Sequence, residues 1–334
     1  MKAFLKKIVL YLIPFFILFM GVIYLDIFQV FHPGKDFYKS DVVELNRSIT
    51  LYRLLERNSV DNSYNSFILG NSRSQAYKCD EWAKYLDSTA KPFHFDGSGE
   101  GLFGVTAKLA YLDNQGYDLK NILLVLDQDL LSKSENINRQ LNIMHPHVSK
   151  ESYLTYYKTF VKSSFNLKFI LGYTDLKLTQ KYKPYMKDLF GDKAFTDSIN
   201  LQTGDIYYGY DHEINQDSAG YYQKRIDQGV FADRIVLSEH LTNDVTDKEI
   251  RLLKTISEIL EKHGTDYKII ISPLYDQVPL ASNQKNLLYT YFDKNSIFDF
   301  SGKNKFTENQ GYYYESSHYR PIVAKGILYE VFTK

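Results

Sequence analysis

Three short apolar runs, each stopped by a turn-forming residue, constrain this chain most. Residues 64–69 end in Phe-Ile-Leu and meet Gly70. Asn121–Leu126 reads Ile-Leu-Leu-Val-Leu after its asparagine and meets Asp127. Lys268–Ser272 carries Ile-Ile-Ile and meets Pro273. A strand that is apolar on both faces is buried on both faces, which is typical of a parallel sheet. Helical patterns follow these runs, at about 103–115 and 281–293 and at 321–332. A further helix over 246–264 opens on a Thr246-Asp-Lys-Glu249 capping box. It carries Ile250, Leu253, Ile256 and Leu260 on one face and closes at Gly264. Phe93–Phe95 and Ser296–Phe300 add two short strands. The alternation predicts an α/β domain over 61–334 with a central parallel sheet and helices on both faces. Its regularity breaks at about 132–245, which reads as an insertion.

Composition narrows the class. A chain of 334 residues suits one large domain or two small ones. Its 29 tyrosines and 22 phenylalanines allow a large core. Forty basic and forty acidic residues cancel, which argues against a nucleic-acid partner. One cysteine, Cys79, cannot form an internal disulfide.

The N-terminus (1–30) reads as a membrane anchor. Lys2, Lys6 and Lys7 precede a run without charge from Ile8 to Leu25. Eighteen residues at 1.5 Å each span about 27 Å, close to the hydrocarbon thickness of a bilayer. Pro14 is tolerable in such a helix. The lysines place the N-terminus in the cytoplasm and the rest of the chain outside. A cleaved signal peptide is the rival, but Tyr24–Phe28 offers no small-x-small site. Residues 31–60 then read as a juxtamembrane stalk leading to a helix, with Val42, Leu45, Ile49, Tyr52 and Leu55 at helical spacing.

Within the insertion, helical pieces are expected over 150–163 and 166–180. The stretch 182–240 reads as loop-rich and aromatic, a place for substrate selectivity or for plain surface excursions. His145-Pro146-His147 has no neighbouring ligand set and makes a poor metal site.

Ligands of open α/β sheets bind outside the carboxyl ends of strands. Three segments follow such ends. Gly70-Asn71-Ser72 puts a serine at the mouth of a helical turn, where free N–H groups favour an oxyanion. The same tripeptide is also ordinary turn chemistry. Arg73 and Ser74 either line the pocket or cap the helix. The loop Asp96–Gly101, with glycines at 97, 99 and 101, can aim backbone N–H groups at a ligand. It lacks the ending of a phosphate loop. Asp127-Gln128-Asp129 closes the third segment. Near the C-terminus, Glu315-Ser-Ser-His318 puts a carboxylate three residues before a histidine. In a tight loop or a first helical turn the two can share a face. The carboxylate would then fix the imidazole tautomer and leave Nε2 to take a serine proton. An exposed Glu-His pair is the plainer alternative.

Together these segments resemble the SGNH/GDSL hydrolase superfamily over roughly 64–131 and 246–334. The resemblance implies a flavodoxin-like, three-layer α/β/α sandwich. Ser72 would be the nucleophile, His318 the base and Glu315 its acid. Gly97 or Ser98 would stand for the second-block oxyanion residue, and Asn71 and Arg73 would flank the substrate. The tail resembles membrane-anchored members similar to the D-alanyl-transfer proteins of teichoic acid and to alginate acetylation proteins. Asn replaces the usual Asp in the first block and Glu replaces the usual acid. The third block has Asp127-Gln128-Asp129 in place of Gly-x-Asn-Asp, so Gln128 would have to donate the missing amide. The expected activity is ester hydrolysis or acyl transfer on acylated cell-surface glycans or other envelope polymers. It needs no metal or cofactor, and a multi-span acyl-donor protein would be a partner for transfer. Two rivals remain open: a non-catalytic scaffold subunit with a degenerate pocket, and a Mg²⁺ phosphohydrolase using Asp96, Asp127 and Asp129.

Overall fold

The computed structural model describes residues 2–40, 42–59, 63–190, 197–231, 233–234, 237–240 and 245–333. Parts of the expected stalk (41 and 60) and insertion (191–196, 232, 235–236 and 241–244) lie outside the described residues. The strands are β1 Ser66–Gly70, β2 Pro92–His94, β3 Asn121–Leu126, β4 Ser198–Ile199, β5 Ile206–Tyr207, β6 Asp266–Ile271, β7 Ile297–Asp299, β8 Tyr313–Glu315 and β9 His318–Tyr319. Five of them form one sheet in the order β2-β1-β3-β6-β7, every neighbour parallel.

The apolar runs explain the sheet. Phe67, Leu69, Ile122, Leu124, Ile269 and Ile271 face one core, under the helices Arg47–Asn58, Leu102–Asn114 and Asp247–His263. Ile68, Leu123, Val125 and Ile270 face a second core with Trp82, Tyr313 and the helix Pro321–Thr333. Alternate side chains of one strand thus enter opposite cores, so neither face can be polar. The capping box at Thr246 and the left-handed Gly264 bound the helix between them as the sequence predicts.

From β1 the chain turns to one side to make β2 and then crosses back to make β3, so the order reverses between β1 and β3. Gly70 pairs with Val125, which carries Asn71 and Asp127 past the same edge. Gly70 has φ +152°, and a Cβ there would lie 2.5 Å from the Val125 carbonyl oxygen. Only glycine lets the two strand ends approach this closely.

Three segments differ from expectation. The helix expected at the end of the stalk is present as Arg47–Asn58, but it packs into the domain, with Leu51, Leu54 and Leu55 fully buried in the first core. The helix expected from Ser72 onward is broken into a 3₁₀ turn, Ser72–Ala76, and a short helix, Cys79–Ala83. The extended Tyr77 between them lets both Tyr77 and Trp82 enter the second core. The 182–240 stretch holds a small antiparallel pair, β4–β5, and two helices, Gly209–Gln216 and Ser218–Asp227. Tyr208, Tyr210, Tyr221 and Tyr222 pack there with Tyr314. Tyrosine is apolar in its ring and polar at its tip, so these residues blur the helical period.

Candidate active site

Ser72 opens the 3₁₀ turn, where backbone N–H groups lack intrahelical partners. Asn71 caps that turn: its side-chain oxygen accepts from the Arg73 N–H at 3.0 Å. Its Nδ2 donates to Asp127 Oδ2 at 2.7 Å. Asp127 is buried and also accepts from the Leu130 N–H at 2.9 Å. The ends of β1 and β3 are therefore locked together beneath the serine.

Glu315 and His318 arrive on an antiparallel hairpin. They are cross-strand partners on either side of the two-residue turn Ser316-Ser317. Sharing a face thus follows from strand pairing, not from a helical turn. Glu315 Oε1 hydrogen-bonds His318 Nδ1, and Glu315 Oε2 accepts from the Ser317 N–H at 2.6 Å. Both carboxylate oxygens are held. His318 Nε2 lies 2.8 Å from Ser72 Oγ. Burial works against ionisation of Glu315, but the hydrogen bond and charge of His318 and the Ser317 donors outweigh it and keep the carboxyl below its usual range. The arrangement is competent to remove the Ser72 proton and to stabilise the imidazolium that results.

Arg73 does not point freely into a pocket. Its Nη1 pairs with Asp127 Oδ2 at 2.9 Å and its Nε donates to the Ser317 carbonyl at 3.2 Å. It ties the Ser72 turn to the hairpin. Gly97 donates its N–H to the Gly70 carbonyl at 3.3 Å. A Cβ at Gly97 would collide with Glu100, whose carboxylate pairs with the buried Lys108 at 2.6 Å. The Ser98 carbonyl accepts from Asn142 Nδ2 at 2.7 Å. Gln128 turns its side-chain oxygen toward the Ala281 N–H, 3.4 Å away beyond the end of β6. His145 stacks on Tyr52, with ring centroids 4.6 Å apart, and His147 Nδ1 bonds the Tyr52 hydroxyl at 2.8 Å.

The three carboxylates of the phosphohydrolase alternative are each taken by a cation: Asp96 by Arg47, Asp127 by Arg73 and Asp129 by Lys133. Among the described residues no cluster of three His, Cys, Asp or Glu is arranged to hold a metal.

Two features escape the sequence. Ser74, His94 and Asp205 form a second serine–histidine–aspartate series, with contacts of 3.2 and 3.1 Å. All three are fully buried, and the Ser74 hydroxyl donates to the Asn71 carbonyl at 2.7 Å. The series supports the turn below Ser72 and offers no access to a substrate. The second feature is the grip of the tyrosine-rich helices on the Glu315–His318 hairpin. Tyr221 and Tyr222 donate to the Tyr314 and Tyr313 carbonyls at 3.1 Å each. Asp211 bonds the Tyr314 hydroxyl and takes Arg320 Nε at 3.1 Å. The density of tyrosines was the visible signal, and their target was not.

No family model matches the chain, and no curated protein matches it in sequence.

Proposed function

We propose that this chain is an exported, membrane-anchored serine esterase or O-acyltransferase of the SGNH/GDSL type, acting on acyl esters of cell-surface glycans. The observation that carries the reading is the contact of Ser72 Oγ with His318 Nε2 at 2.8 Å, with Glu315 on the other ring nitrogen. These residues stand 246 positions apart in sequence. The strand order, 2-1-3-4-5 when the sheet is numbered alone, is that of flavodoxin-like folds, and cores on both faces fit a three-layer sandwich. In the reaction, His318 takes the Ser72 proton as Oγ attacks the ester carbonyl. His318 then returns the proton to the leaving alcohol, and the acyl-serine passes its group to water or a sugar hydroxyl. Lys6–Leu25 is long and apolar enough to cross a membrane. Flanking lysines at its N-terminal end favour an outside location for the domain, where acylated envelope polymers lie. A multi-span acyl donor beside it would favour transfer.

A scaffold reading has its own support. The Gly97 N–H is engaged by Gly70, and Gln128 faces Ala281. The Ser72 N–H then carries most of the oxyanion, and each lost donor costs about 10²–10³ in rate. The full-length protein in detergent is therefore expected to hydrolyse p-nitrophenyl acetate slowly but measurably, with no loss on adding a chelator. A rate equal to that of a Ser72→Ala, His318→Ala protein would favour the scaffold.

Glu315→Gln should keep the fold and lower kcat by about 10²–10⁴ with little change in KM. The carboxamide can donate to Nδ1, which moves the ring proton to Nε2, where it cannot accept from Ser72. Steady-state ester kinetics at neutral pH read this split.

A further inference from the structure

The helices Tyr153–Ser164 and Leu167–Thr179 form an open hairpin, joined at Phe165-Asn166 and hardly touching beyond it, and the first of them packs beside the N-terminal span. Phe19, within the apolar Lys6–Leu25 stretch, stacks on Phe165 at the corner of this hairpin, with centroids 6.3 Å apart. Phe19 lies six residues before Leu25, or about 9 Å below the end of the span at 1.5 Å per residue. Beyond the span, Phe28 packs on Phe160 and Phe169, each at 5.8 Å, and Phe31 stacks on Tyr157 at 5.5 Å. Asp26 fixes the turn between span and hairpin by accepting the Val30 and His32 N–H groups at 2.7 and 2.6 Å.

The second helix of the hairpin has two apolar faces. Phe169, Gly172 and Leu176 are buried against the protein. Leu167, Leu171 and Leu178 follow at intervals of four and seven, so they share the opposite face. They are 68%, 60% and 81% exposed. Leu154 on the first helix is 78% exposed. A helix apolar on both sides is unsuited to one wet face. Polar groups at the corner bond inward: the Ser163 and Ser164 hydroxyls donate to carbonyls of their own helix at 3.0 and 2.9 Å. Asn166 Oδ1 accepts from the Lys168 N–H at 3.0 Å. Such closure is what a low-dielectric medium demands. Lys168 and Lys177 are exposed on the two flanks of the leucine stripe, where their stems can reach the headgroups.

We propose that this hairpin is a second membrane contact, lying in the outer leaflet with its Leu167–Leu171–Leu178 face among the acyl chains. The inference rests on reading Lys6–Leu25 as a membrane span. The occupant is lipid, because the hairpin corner stacks against the span at a depth inside the hydrocarbon. Two contacts would hold the domain in a fixed attitude to the bilayer, where one span alone would let it swivel.

The full-length chain, reconstituted in phosphatidylcholine–phosphatidylglycerol vesicles, tests this. A fluorophore is placed on Leu171→Cys, Leu178→Cys, Phe15→Cys in the span, or Lys254→Cys on the exposed face of the Asp247–His263 helix. The native thiol, Cys79, is buried and stays unlabelled. A nitroxide on the lipid chains should take away most of the emission at positions 171, 178 and 15 and leave 254 bright, with aqueous iodide doing the reverse. Loss at 15 with none at 171 and 178 leaves the span standing and overturns the hairpin contact. Protection of 171 and 178 from both quenchers also overturns it, in favour of a second copy or a partner protein on that face. No loss at 15 removes the span itself, and the hairpin contact with it.

Discussion

Ser72→Ala is expected to abolish labelling by a serine-reactive fluorophosphonate and to lower ester turnover on the order of 10⁴–10⁶-fold, leaving only what binding and the oxyanion donors supply. The fold should be unaffected, since Ser72 is half-buried and its hydroxyl contact is to His318 at 2.8 Å. No neighbour can replace it. Ser74, two residues on, is fully buried and spends its hydroxyl on the Asn71 carbonyl. Ser74→Ala should therefore keep the label while lowering stability, because it strips a partner from the buried His94. Undiminished labelling of Ser72→Ala would place the nucleophile elsewhere.

Arg47→Ala is expected to destabilise the domain by about 3–5 kcal/mol, the cost of leaving a buried charge without its partner. Arg47 Nε donates to both Asp96 oxygens at 2.8 and 2.7 Å, and Nη2 reaches the Gly204 carbonyl at 3.0 Å. Asp96 has no exposed surface and also accepts from Gln75 Nε2 at 2.7 Å. Burial opposes ionisation of Asp96, but the charge and hydrogen bonds of Arg47 outweigh it and hold the carboxyl far below its ordinary value. That depressed value contributes stability above the unfolded value of about 3.8, and the contribution is lost as pH falls. Without Arg47 the buried carboxyl binds a proton more readily. The gap between variant and wild type should then narrow as pH falls toward about 4. Denaturant midpoints over a pH series read both effects. A gap that widens in acid would mean that the damage comes from lost packing of the arginine stem. Activity should fall too, since Gln75 sits in the turn that carries Ser72.

The sheet was legible because its strands are apolar on both faces. Ile122–Leu126 and Ile269–Ile271 admit few other placements, and helices with clear stops, such as the one ending at Gly264, lie between them. Ser72, Glu315 and His318 could be singled out because each stands at a place where chemistry needs it: a strand end, and a short-range acid–histidine pair. What brings them together was not legible. Arg73 reads as a pocket residue in sequence, yet Asp127 and the Ser317 carbonyl hold it as a brace. The pairing of Arg47 with Asp96 spans 49 residues and leaves no local pattern. The helices over 209–227 were hidden by tyrosines, which serve as core and as hydrogen-bond donors at once. Leu167, Leu171 and Leu178 were visible as apolar residues, but only the exposure of one face and the burial of the other set this helix apart from an ordinary core helix.

Peptide mapping by mass spectrometry after brief exposure of the full-length protein to p-nitrophenyl acetate tests the central claim most directly. Acetyl transfer should appear on the peptide containing Ser72 and be absent in Ser72→Ala. The decisive reading is the first of these: an acetyl group on Ser72 in the wild-type chain is the predicted result. Turnover of the ester with the acetyl group on another residue, or with Ser72 unmodified under conditions that trap an acyl-enzyme, would contradict it.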